Sequence, residues 1–206
     1  MSDFSNFYEI QTKTPWGRTL TDFASFCQPR PSSRILDVGC GPGLLPSIFA
    51  ASGHVAYGVD VSFSLLSAHL SPNLVQADAG ILPFPSATFD LVTATNLLFL
   101  LDVPLWVLLE WKRLLRPDGQ IALLNPSEYL SVKTAARLAD ERGLDGTVRA
   151  SLLDWAHNAE QHVRWTEDQT RALLAQAGFH IVEICLRVGP GFARLVRAIT
   201  DEFYLH

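Results

Sequence analysis

The stretch Arg34–Leu45, RILDVGCGPGLL, limits the folds open to this chain more than any other. An apolar run ends in an acid, Asp37. Gly39, Gly41 and Gly43 then alternate with other residues, and an apolar segment resumes at Leu44. A short apolar run bounded by glycines reads as a buried strand, and the segment after the turn as a helix. Pro42 lies just ahead of that helix, where a missing N–H costs little. Glycines at this spacing let backbone approach a ligand with no side chain between. A dinucleotide turn is spaced G-x-G-x-x-G, so that pyrophosphate reaches a helix N-terminus. Here the spacing is G-x-G-x-G, and Leu44 stands at the third dinucleotide position. The turn therefore suits a ligand without requiring a phosphate, and it counts against a nicotinamide-dependent oxidoreductase.

The same rhythm continues along the chain. Strands are expected at Arg34–Val38, Val55–Val61, Leu74–Ala77, Phe89–Thr95 and Ile121–Leu124, with helices at Gly43–Ala51, Ser64–Leu70 and Val103–Leu115. After Leu124, two helices are expected, Ser131–Arg142 and Ala150–Gln161, broken by GLDG at 143–146. Thr166 opens a further helix through a TEDQ capping box, and that helix stops at Gly178. His180–Arg187 and Phe192–Ile199 read as final strands. The expected class is α/β: one domain over residues 1–206, a doubly wound, mostly parallel seven-stranded sheet with helices on both faces. Residues 1–31 carry Phe4, Phe7, Tyr8, Trp16, Phe23 and Phe26, too many for a loose tail, and are expected to form a helical cover. Residues 126–165 are too long for an ordinary connection and are expected to form a small helical cap.

Composition excludes several classes. Apolar residues make up 48% and charged residues 18%, which predicts a folded chain. The net charge is −5 with no basic tract, so neither nucleic acid nor an anionic membrane surface is an expected partner. Three cysteines without CxxC spacing predict neither a disulfide framework nor a zinc site, and suit a cytoplasmic location. The start, MSDFSNFYEI, lacks the pattern of a signal peptide. Leu91–Leu109 approaches membrane-span length, but Asn96, Asp102 and Pro104 interrupt it, so no span is expected. His157 and His162 are separated by about 140° around a helix, and no metal site is expected from them with Glu160.

Two further acids narrow the ligand. Asp60 ends the second strand, where a carboxylate can accept from both hydroxyls of a ribose. Asp78 ends the third, where a carboxylate can accept from an adenine amino group. Taken in order, ILDVGCGPG, GVDVS, ADAGILPFPSATFDLV and LLRPDGQIALL resemble the successive motifs of class I S-adenosylmethionine-dependent methyltransferases. The resemblance covers residues 34–124 and is closest to the small-molecule group that includes the ubiquinone and menaquinone methyltransferases. It implies S-adenosylmethionine, which carries no phosphate, as the cofactor. It implies that Gly39, Cys40 and Gly41, in the turn closed by Gly43, line the methionine part. Asp37 would support the turn or the cofactor's amino group. Asp60 would take the ribose, Val61 would pack beside adenine, and Asp78 and Ala79 would hold the adenine edge. Asn96 and Leu97 would face the methionine moiety. Tyr8 and Arg18 are further candidates from the N-terminal segment.

Methyl transfer by in-line displacement needs mainly alignment of donor and acceptor, and a base only where the acceptor is protonated. Within the expected cap, Ser127, Glu128, Tyr129, Trp155 and His157 are candidates to line the acceptor pocket, with Glu128, Tyr129 and His157 as candidate catalytic groups. Cys40 reads as a small turn residue rather than a nucleophile. The tetrapeptide Asn125–Glu128 is similar to the Asn-Pro-Pro-Tyr motif of nucleic-acid amino methyltransferases, but it follows the fifth strand and not the fourth, so that reading is rejected. Phe99 and Leu100 stand where many relatives carry histidines, which implies a more apolar pocket. The expected partner is a small-molecule acceptor, with the methylated atom and the oligomeric state left open. A protein that binds the cofactor without turnover is the alternative.

Overall fold

Alternation along the strands decides how the layers form. In β1, Arg34–Val38, Leu36 and Val38 turn to one face while Ile35 turns to the other. All three are fully buried, so the strand needs cover on both sides. The computed structural model describes residues 7–67 and 73–200. In chain order the elements are α1 Phe7–Lys13, α2 Trp16–Cys27, β1, α3 Leu44–Ala51, β2 Val55–Asp60, α4 Phe63–Leu66, β3 Leu74–Gln76, β4 Phe89–Thr95, α5 Pro104–Leu114, β5 Leu115–Pro126, α6 Val132–Glu141, α7 Gly146–Glu160, α8 Glu167–Gln176, β6 Phe179–Arg187 and β7 Ala193–Thr200. Residues 1–6, including Phe4, and the end of the helix expected at Ser64–Leu70 lie outside the described residues.

The sheet is seven-stranded, in the order β3-β2-β1-β4-β5-β7-β6. The pairs β1–β2, β1–β4, β2–β3 and β4–β5 are parallel, and β7 runs antiparallel to both β5 and β6. One face packs against α5 and α8 through Val107, Leu108, Trp111, Leu114, Leu174 and Ala177. The other packs against α2 and α3 through Phe23, Cys27, Leu45 and Phe49. Each leucine or phenylalanine among them contributes about 1.5–3 kcal/mol by leaving water. A third, smaller core joins α6 and α7 to the strand ends through Phe99, Leu130, Ala135, Ala156, Ala159 and Phe192.

Caps set the helix limits. Thr166 accepts from the Gln169 backbone N–H while the Gln169 side chain accepts from that of Thr166, the reciprocal pair that TEDQ predicts. Ser131 and Thr134 do the same for α6. β5 is longer than its apolar run, because its first residue, Leu115, pairs with Phe89 across a register shift. The polar residues there are held by side chains: Arg116 meets Asp90, and Arg30 meets Asp118.

Candidate functional site

The glycine turn lies at the carboxyl end of β1, between the ends of β2 and β4. Gly39, Gly41 and Gly43 all have positive φ, at 72°, 54° and 88°, which L side chains adopt at a cost. The backbone N–H groups of Gly39 and Cys40 both donate to the Val59 carbonyl, at 2.8 and 3.0 Å. That of Gly41 donates to Asp60 Oδ2 at 2.9 Å, and Ser62 N–H donates to Asp60 Oδ1 at 2.9 Å. Asp60 thus shapes the turn, and its two oxygens retain further acceptor capacity. The Cys40 side chain is turned under the loop: a Cβ on Gly58 would lie 2.7 Å from Cys40 Sγ. Burial, with Asp37 and Asp60 nearby, pushes the thiol far above its usual range, so it stays protonated.

Asp37 lies beneath the turn and is fully buried. Its Oδ1 accepts from Thr93 Oγ1 at 2.8 Å, across the β1–β4 register that pairs the two residues. Burial pushes its pKa up to about 8, the Thr93 hydrogen bond opposes this, and Asp60 adds to it. Between the usual value of 3.8 and 8, the folded chain keeps a proton that the unfolded chain has lost. Unfolding then releases that proton, so stability falls as pH rises, by about 1.4 kcal/mol per pH unit. Asp37→Asn should therefore gain stability relative to wild type on going from pH 4.5 to pH 8, read as the difference in urea midpoints. A difference independent of pH would mean that Asp37 is already ionised in the fold.

At the end of β4, Asn96 has φ 54°, an uncommon conformation outside glycine. Its N–H donates to the Leu124 carbonyl at 2.7 Å, and its Oδ1 accepts from Trp155 Nε1 on α7 at 3.0 Å. Trp155 in turn packs on Trp16 at the start of α2, ring centres 5.8 Å apart. Leu97 lies against Gly39, where a Cβ would come within 3.0 Å of it. On the opposite flank, Asp78 Oδ1 accepts from Gly80 N–H at 2.8 Å, and the Ala79 carbonyl accepts from Trp111 Nε1 at 3.0 Å. Val61 and Asp78 are exposed. Asp37, Gly39, Cys40, Gly41, Gly43, Asp60, Asn96 and Leu97 thus gather around one turn, with Val61, Asp78 and Ala79 on the strand ends to one side.

The candidates after β5 separate. Ser127 is buried and donates to the Gly191 carbonyl at 2.6 Å. Both Glu128 oxygens accept from Arg194, at 2.9–3.0 Å. Tyr129 is 53% exposed, and His157 is exposed on α7. Among the described residues no cluster of three or more His, Cys, Asp or Glu has the arrangement to hold a metal ion. None of their helices is long and apolar enough to cross a membrane.

One residue escaped the sequence reading. Gln11 of α1 is buried beside Gly41, and its Oε1 has no hydrogen-bond partner. The available signal was its position one helical turn after Phe7, whose ring covers the same glycine. The side chains at the turn are two acids, Asp37 and Asp60, and the neutral amide of Gln11, with no cation among them. That set fits a positively charged, hydroxyl-bearing ligand such as S-adenosylmethionine, and not a pyrophosphate.

Comparison with known proteins agrees with this chemistry. Residues 36–123 match the methyltransferase domain family. A nocamycin O-methyltransferase of Saccharothrix syringae is 35% identical over 54% of this chain and 43% of its own length. An 18S rRNA (guanine-N(7))-methyltransferase of Schizosaccharomyces pombe is 31% identical over 51% of this chain and 39% of its own. The chain spans about half the length of the curated relatives it matches. Among solved structures, the magnesium protoporphyrin IX methyltransferase of Synechocystis PCC 6803 with bound S-adenosylhomocysteine superposes with a TM-score of 0.64. It covers 89% of this chain and 82% of its own, at 18% identity. The strand order and the domain match agree: residues 36–123 carry a methyltransferase domain, within a fold that the chain shares with solved methyltransferases.

Proposed function

We propose that this chain transfers a methyl group from S-adenosylmethionine to a small-molecule acceptor. The observation that carries the reading is the set of acceptor groups around a positive-φ glycine turn in a chain carrying this domain. When bound, the cofactor supplies a methyl group activated on a sulfonium. The chain's own residues bind and align. Asp60 holds the turn and offers its carboxylate to the ribose. Val61, Asp78 and Ala79 take the adenine side. Gly39, Cys40 and Gly41 present backbone to the methionine part, with Asp37 beneath, and Gly43 leads into α3. Asn96 and Leu97 stand between this part and the acceptor.

Residues 126–165, with α6 and α7, act as a cap over the acceptor, and residues 1–31 as a cover beside it. Trp155 supports this by joining the cap to Asn96. Tyr129 and His157, both exposed, are the candidates to take an acceptor proton. We assign Glu128 to holding Arg194 rather than to proton transfer. Alignment in an enclosed, largely apolar space supplies most of the catalysis, so no triad is required. The charge of −5 favours a small acceptor over RNA. The same reading places the protein in the cytoplasm, in keeping with three free thiols.

The test is incubation of the purified chain with S-adenosylmethionine labelled in its methyl group, a small-molecule extract or total RNA. Label should enter a small-molecule fraction, with none in RNA. Label in RNA would overturn the acceptor class. Tight S-adenosylhomocysteine binding without transfer to any fraction would favour the silent binding protein.

A further inference from the structure

α1 has one buried residue, and it is a glutamine. The Gln11 side chain is 5% exposed, yet its Oε1 has no partner. A buried amide oxygen left unpaired is costly, and an apolar residue at the same helical position would avoid the penalty. The amide does not lie idle between two helices. Its Nε2 is 3.7 Å from where a Cβ on Gly41 would sit, and the Phe7 ring is 3.5 Å from the same point. Gln11 therefore covers the outward face of the glycine turn.

The approach of α1 is built in by α2. At Gly17 the two helices come so close that a Cβ would lie 2.5 Å from the Gln11 carbonyl oxygen. Any larger residue there would push α1 off the turn. The backbone donors of the turn are already engaged. The Gly39 and Cys40 N–H groups are used by the Val59 carbonyl, and that of Gly41 by Asp60. Asp37 is tied to Thr93. Beside them lies the Gln11 amide, its Nε2 toward the turn and its Oε1 buried without a partner.

We propose that Gln11 is a cofactor-binding residue, its Oε1 accepting a hydrogen bond from the amino group at the methionine end of S-adenosylmethionine. The inference rests on the cofactor reading above. The amino group is the one strong donor at that end of the molecule, and a neutral amide oxygen can meet it without adding a third carboxylate beside Asp37 and Asp60. Ligand binding then satisfies Gln11 and holds α1 against the turn.

Three ligands and one substitution test this. S-adenosylhomocysteine carries the amino and carboxyl groups, decarboxylated S-adenosylmethionine keeps the amino group alone, and 5′-methylthioadenosine has neither. Gln11→Leu should leave the melting temperature of the ligand-free protein unchanged or raised, since it removes an unpaired oxygen. Calorimetry should show affinity for the first two ligands lowered about tenfold and that for 5′-methylthioadenosine unchanged. Gln11→Met, unbranched and of similar length, should reproduce the pattern where the leucine packs poorly. An equal loss for all three ligands would mean that Gln11 only packs α1. A loss confined to S-adenosylhomocysteine would mean that it meets the carboxyl group, and no loss would remove it from the site; each overturns the proposal. Failure of the wild type to bind any of the three would instead overturn the cofactor reading beneath it.

Discussion

Asp60→Ala should weaken S-adenosylhomocysteine binding by about 100-fold. Two hydrogen bonds from ligand hydroxyls to a carboxylate are worth about 1.5 kcal/mol each at the low end, and every 1.4 kcal/mol is tenfold in affinity. The carboxylate also carries the Gly41 and Ser62 N–H groups, so its loss releases the turn. Asp60→Asn separates the two contributions. Its amide oxygen still accepts from one backbone N–H, while the charge that strengthens the ligand bonds is gone. Titration calorimetry should place the asparagine variant between wild type and alanine. An affinity within threefold of wild type in Asp60→Ala would show that no ribose rests on this residue.

The second large effect concerns stability. Arg194 is 5% exposed, and its guanidinium donates to both Glu128 oxygens and to the Trp165 carbonyl. An arginine does not give up its proton when its partner is removed. Glu128→Ala should therefore destabilise the fold by about 3–5 kcal/mol, because it leaves a buried charge uncompensated. Urea denaturation would show this as a lower midpoint with an unchanged slope. Replacing both partners, Glu128→Leu with Arg194→Met, should recover most of the loss, since buried pairs exchanged for apolar residues are often neutral. A Glu128→Ala protein of wild-type stability that has lost methyl transfer would return Glu128 to the chemistry.

Most strands were readable because each is a short apolar run closed by glycine or acid, and β1 and β4 coincide with their expected limits. The start of β5 was hidden by Arg116, Pro117, Asp118 and Gly119, a turn-like string. Leu115 enters the sheet there through pairing with Phe89 on another strand, which local pattern does not carry. α7 begins four residues before its expected start at Ala150; Gly146, Thr147 and Val148 are weak helix formers, and Arg149 ties this first turn to Asp140 of α6. The same division holds at the site. Gly39, Gly41 and Asp60 announce themselves because strand ends in this topology are where ligands bind. The links Trp155–Asn96 and Arg194–Glu128 join residues 59 and 66 positions apart. No spacing rule connects such pairs. Gln11 reads as an ordinary surface residue until Gly17 and Gly41 are seen on either side of it.

Arg194 meets the excursion beyond β5 at both of its ends, at Glu128 where it leaves the sheet and at Trp165 where it returns. The departure and return points are thus pinned to one guanidinium on β7. Between them the excursion meets the rest of the fold through Trp155, at Asn96 and Trp16, and through its packing on Phe99 and Phe192. An exchange of its sequence should leave the strands in place where Glu128, the Trp165 carbonyl and these contacts are kept. The fold therefore behaves as a socket. Transplanting the corresponding segment from a relative with a known acceptor, cut at these two residues, would test whether it sets the acceptor of the proposed methyl transfer.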